Sequence, residues 1–145
     1  MFMEYYALHS EDKTAAYDGI PELLSSAREK GMKLGVITNK AHNIAQQVVP
    51  HFLGDGVFDY IRGLDDRIKA KPCPDGALDV AEKLGVQPSE VLYIGDSGVD
   101  MQTAVNAGFT PCGVLWGFRT EKELCDNGAK YIAHKPSDIL DITEK

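Results

Sequence analysis

The chain has 145 residues, 43% of them hydrophobic, which is enough for about one domain with a core of its own. A formal net charge of −7 and the lack of any Lys/Arg block exclude a nucleic-acid-backbone binder. No stretch approaches the roughly 18 consecutive apolar residues of a transmembrane helix, so no membrane partner is expected. Cys73, Cys112 and Cys125 lie apart in no metal-ligand spacing, and an odd count favours free thiols in a reducing compartment, so the expected location is cytoplasmic.

Residues 1–17 are aromatic and then charged, with no clear period; a short helix and a linker are expected there. Asp18-Gly19-Ile20-Pro21 reads as a turn into a helix that buries Ile20, Leu23, Leu24 and Ala27 and closes at Gly31. Lys33 to Thr38 is a buried strand with Thr38 and Asn39 at its carboxyl end. A helix follows with Ile44, Ala45, Val48, Val49 and Phe52 on one side, and Pro50 predicts a kink or break near Val49.

Val57 to Leu64 contains a short strand, followed by an acidic loop at Asp65-Asp66. The two prolines of Ala70-Lys71-Pro72-Cys73-Pro74 rule out regular structure. A helix from about Pro74 is expected to bury Ala77, Leu78, Ala81 and Leu84 and to end at Gly85.

Val91-Leu92-Tyr93-Ile94 is a continuous apolar run, suited to a strand covered on both faces. Gly95 ends it, and a helix opens with Met101, Ala104, Val105 and Gly108 on one face. Strands at Thr110–Leu115, ended by Trp116-Gly117, and at Tyr131–Ala133 alternate with helices from Glu121 to Asn127 and from Pro136. Such alternation predicts an α/β fold with a doubly wound, mostly parallel sheet.

Asp96 then lies at the carboxyl end of a buried strand, where open α/β sheets bind ligands, and Asp100 follows in the first turn of the helix. Two carboxylates about 6 Å apart repel by roughly 3 kcal/mol at an effective dielectric near 20, and Mg²⁺ would relieve that repulsion. Asp100 can equally cap the helix with Ser97, Thr38 can cap the helix after it, and Lys71 can be a solvated surface lysine. Together, a hydroxyl, a backbone amide, an ammonium and a carboxylate pair are the electrostatic parts of a phosphoryl-transfer site.

Ile37-Thr38-Asn39, Lys71-Pro72-Cys73-Pro74-Asp75 and Gly95-Asp96-Ser97-Gly98-Val99-Asp100 resemble the second, third and fourth motifs of the haloacid dehalogenase superfamily. Their order and surroundings are similar to the phosphoglycolate phosphatase branch, as are Ala104–Gly108 and Gly113–Gly117. The resemblance implies a Rossmann-like core. It implies that Thr38 and Lys71 are catalytic, that Thr38, Asn39 and Lys71 bind phosphate, and that Asp96 and Asp100 serve Mg²⁺. The implied substrate is a small phosphorylated metabolite.

The family's first motif is a strand ending in Asp-x-Asp that supplies the nucleophile, and no Asp-x-Asp occurs in these 145 residues. The chain therefore resembles the C-terminal portion of such a phosphatase, with residues 1–17 as the end of the cap and a linker and 18–145 as the core. It is expected to be inactive alone. The alternative is a non-catalytic binding or scaffolding domain with a vestigial phosphate and metal pocket. A receiver domain is disfavoured by the order Thr, Lys, Asp. The missing strand would leave a gap in mid-sheet, which direct pairing of its two edges, insertion of the segment around Met3 to Leu8 or a strand from another chain could fill; self-association or marginal stability is the expected result.

Overall fold

The computed structural model describes residues 3–7, 20–53, 58–115 and 120–143. The expected turn at Asp18-Gly19, the strand end at Trp116-Gly117, Val57, and the side chains of Val48, Val49 and Phe52 lie outside the described residues. Six strands form one sheet: β1 (Met3–Ala7), β2 (Lys33–Ala41), β3 (Tyr60–Leu64), β4 (Val91–Gly95), β5 (Thr110–Val114) and β6 (Tyr131–Ala133). Their order is β3-β2-β1-β4-β5-β6, and every named pair is parallel. The order reverses between β1 and β4, which is where a doubly wound sheet opens a crevice at its carboxyl edge.

The helices are α1 (Ile20–Glu29), α2 (His42–Leu53), α3 (Asp75–Leu84), α4 (Gly98–Ala107), α5 (Glu121–Asp126) and α6 (Pro136–Thr143). One face of the sheet offers Leu34, Leu92, Ile94, Cys112 and Val114 to Leu23, Leu24 and Ala27 of α1 and Ile139 and Ile142 of α6. Ala45 of α2 joins Val36 and Ile61. Ile37, Val91 and Tyr93 meet Ala77, Val80 and Ala81 of α3 and Ala104 and Ala107 of α4. Successive strand residues point to opposite faces, so a strand clothed on both sides has to be apolar throughout, and β4 is buried at all five positions. Among the described residues no helix is long and apolar enough to cross a membrane.

Four expectations are corrected. Met3–Ala7 is a strand, not part of a helix, and it pairs with β2 on one side and β4 on the other. Tyr5 and Tyr6 favour extended structure, and the paired backbone groups of two flanking strands supply the reward a lone segment lacks. The gap expected in mid-sheet is therefore filled, and the ground for self-association through it is removed. Helix α2 runs through Pro50 to Leu53, so the break near Val49 does not occur.

The third and fourth corrections concern strand length and helix faces. β2 continues three residues beyond Thr38, with an irregularity in its pairing to β3 between Ile37 and Ala41. Ile44, Leu78 and Val105, assigned to buried faces, are exposed. Each sits at the margin of its apolar stripe, where Ala45, Val80 and Ala104 take the contact instead. Gly85 and Gly108 end α3 and α4 in the left-handed region, at φ 70° and 80°.

Candidate active site

The site forms where β2 and β4 end on either side of β1. Ala7 is level with Ile37, and Tyr6 with Ile94. Carrying each register onward brings Thr38 and Asp96 level with each other, one position beyond Ala7, about 10 Å apart across two strand spacings. Both are buried, at 1% and 8% exposure.

Asp100 is the hub of this edge. Its side chain is 1% exposed, and Lys71, itself 7% exposed, places Nζ 2.7 Å from Oδ1. The Tyr93 hydroxyl donates to the same oxygen at 3.4 Å. Oδ2 accepts from the Asp96 N–H at 3.2 Å and from the Ser97 hydroxyl at 3.1 Å. Ser97 Oγ in turn accepts from the Asp100 N–H, capping α4. The two readings of Asp100 are thus not exclusive. It belongs to the cap and also supplies the charge that holds Lys71. The Lys71 ammonium balances the Asp100 charge.

Asn39 faces the same loop from β2, where its Oδ1 accepts from the Lys71 N–H at 3.0 Å. The sequence-assigned residues Thr38, Asn39, Lys71, Asp96 and Asp100 are therefore gathered on one sheet edge, and hydrogen bonds link Asn39 to Lys71, Lys71 to Asp100 and Asp100 to Asp96. Ser97, expected as a cap, also takes part, as do Tyr93 and Asn106, for which spacing alone gave no signal. Asn106 Nδ2 donates to the Pro72 carbonyl at 2.9 Å.

At the start of α4, Glu123 of α5 accepts from the Gly98 N–H at 2.8 Å, and the Asp96 and Asp100 N–H groups are taken by Asp100 Oδ2 and Ser97 Oγ. Anionic substrate groups are better received on the Thr38, Asn39 and Lys71 side. The acidic loop is not a ligand cluster. The Arg67 N–H and the Arg62 guanidinium hold the Asp65 carboxylate at 2.9 and 2.7 Å and keep its pKa below the usual carboxylate range. Among the described residues no three His, Cys, Asp or Glu side chains form a metal-holding group.

Gly95 permits the arrangement. A Cβ there would stand 2.3 Å from Asp100 Cβ and 2.7 Å from its Cγ. Only a residue without a side chain lets the carboxylate fold back beneath the end of β4.

Residues 1–114 match a family model described as haloacid dehalogenase-like hydrolase. The phosphoglycolate phosphatase of Escherichia coli K12 is 32% identical over 140 residues, covering 97% of this chain and 56% of that protein. The N-acetylmuramic acid 6-phosphate phosphatase of Pseudomonas aeruginosa is 31% identical over 146 residues, covering 99% of this chain and 64% of that protein. A hydrolase from Pseudomonas syringae superposes with a TM-score of 0.79 at 30% identity, over 90% of this chain and 61% of that one. The chain spans about three-fifths of the length of these proteins.

Proposed function

The chain belongs to the haloacid dehalogenase-like hydrolases, and we propose that it carries the phosphate- and Mg²⁺-handling half of a phosphomonoesterase of the phosphoglycolate phosphatase type, working in the cytoplasm. The observation that carries the reading is the linked set Asn39–Lys71–Asp100–Asp96, with Thr38 level with Asp96 across β1. In it the Thr38 hydroxyl and Asn39 amide hold oxygens of a small phosphorylated metabolite, and the Lys71 ammonium balances the charge that builds on them.

Asp96 suits Mg²⁺ as a hard, anionic oxygen ligand at the sheet edge, and its Oδ1 is shut off from bulk water. Asp100, already engaged by four donors, supports Asp96 through the backbone and Lys71 through its charge. A bound Mg²⁺ would supply further positive charge to the phosphate oxygens. In this reading Met3–Ala7 occupy the sheet position that the nucleophile strand holds in the family.

This chain alone is expected to show no turnover of a generic phosphomonoester with Mg²⁺. Thr38, Lys71 and Asp96 stabilise charge, but no Asp-x-Asp is present to accept the phosphoryl group. Turnover that survives repurification and disappears in Asp96→Ala would contradict this. The lack of that motif also favours a second reading, a binding domain that holds phosphate without cleaving it.

Mg²⁺ binding should be weak, since Mg²⁺ leans on phosphate oxygens and waters when few carboxylates are offered. The melting temperature is expected to rise only at millimolar Mg²⁺, and Asp96→Asn should abolish the rise. An unchanged rise in that variant would remove Asp96 as a ligand.

A further inference from the structure

Lys71 is carried on a loop between β3 and α3 rather than on a strand or helix, yet the proposed chemistry needs its ammonium in one place. Asp100 fixes the side-chain tip. The loop backbone is fixed separately. Asn39 accepts from the Lys71 N–H, and the Cys73 N–H donates to the Ala70 carbonyl at 3.0 Å. From the opposite side, Asn106 Nδ2 donates to the Pro72 carbonyl.

Asn106 lies six residues after Asp100 on α4, about 9 Å further along the helix axis. The same rigid helix therefore grips the loop at two separated points. Pro72 and Pro74 restrict the backbone between and beyond those points, so a hold on the Pro72 carbonyl is transmitted to Lys71. With Asp100 and Asn39 alone, both on Lys71 itself, the loop beyond Lys71 could still pivot.

Building on the reading of Lys71 as a phosphate-binding residue, we propose that Asn106 is a positioning residue for Lys71, acting through the Pro72 carbonyl. Its place on an exposed part of α4 makes substitution compatible with folding.

Asn106→Asp is nearly isosteric, removes the donor and sets a carboxylate against the carbonyl. Two quantities test the role: the rate of Lys71 acetylation by acetic anhydride relative to exposed Lys122, read by mass spectrometry, and the affinity for orthophosphate at fixed Mg²⁺. Relative acetylation of Lys71 is expected to rise, and orthophosphate affinity to fall, each by about threefold to tenfold, the range of one net hydrogen bond. Asn106→Gln keeps the amide and should recover most of both.

A merely structural role would instead speed acetylation of all lysines together and lower the melting temperature. That result, or an unchanged Lys71 rate and phosphate affinity in Asn106→Asp, overturns the proposal. Lys71→Gln separates the two levels. If it leaves phosphate affinity intact, the phosphate-site reading falls and the positioning role with it. If it weakens phosphate while Asn106→Asp does not, only the positioning role falls.

Discussion

Asp100→Ala is expected to lower the unfolding free energy by about 3–5 kcal/mol, the range for removing one partner of a buried ion pair. The Lys71 side chain is 7% exposed and would be left with a buried charge and no carboxylate against it. The Asp96 N–H and the Ser97 and Tyr93 hydroxyls would lose an acceptor at the same moment. Ser97 still caps α4 through its own oxygen, so the helix itself should persist.

Urea unfolding measures the loss as a lower midpoint at unchanged slope. Replacing both partners, as Lys71→Met with Asp100→Leu, should recover part of it, because no charge is then left unpaired while the Asp96 N–H and the Ser97 and Tyr93 hydroxyls still lack the carboxylate. A loss below about 1 kcal/mol in the single variant would mean that the pair behaves as a solvated surface bridge.

Gly95→Ala should destabilise by about 3 kcal/mol, near the upper end for overpacking a close-packed core. The added Cβ would meet Asp100 at its Cβ and Cγ, which are not the free end of a flexible side chain. Relief requires moving the start of α4 or turning the carboxylate away, and either one breaks the contact with Lys71. Gly76→Ala is a useful contrast, since its new Cβ would meet mainly Ile37 Cδ1, a side-chain tip that can rotate. A Gly95→Ala protein as stable as the Gly76→Ala one would contradict the close approach.

The positions of β4 and α4 were legible in the sequence because their signals are local: a continuous apolar run, a glycine stop and a cap. The gathering of Thr38, Lys71 and Asp96 on one edge was legible only through the ordered motifs, since nothing in their spacing of 33 and 25 residues states a contact. β1 was legible only as one of three ways to fill the sheet gap, and a short helix was expected in its place. MEYYA has no period of its own, and its conformation is set by two strands that lie far along the chain.

Ile44, Leu78 and Val105 show the limit of apolar spacing on helices. A stripe wider than the contact leaves its margin in water. Asn106 was invisible because an exposed asparagine on a helix has no pattern, and only the fold of the Lys71 loop brings a carbonyl to it.

The central claim is that the carboxyl edge shared by β2 and β4 is the phosphate- and Mg²⁺-binding surface of this chain. Backbone amide NMR during titration with orthophosphate in millimolar Mg²⁺ tests it most directly. The account predicts shifts concentrated at Thr38, Asn39, Lys71 and Asp96, and their loss at Asp96 when Mg²⁺ is replaced by EDTA. Shifts centred instead on Lys135 and Ser137 at the start of α6, or none at any concentration up to saturation of the buffer, would contradict it.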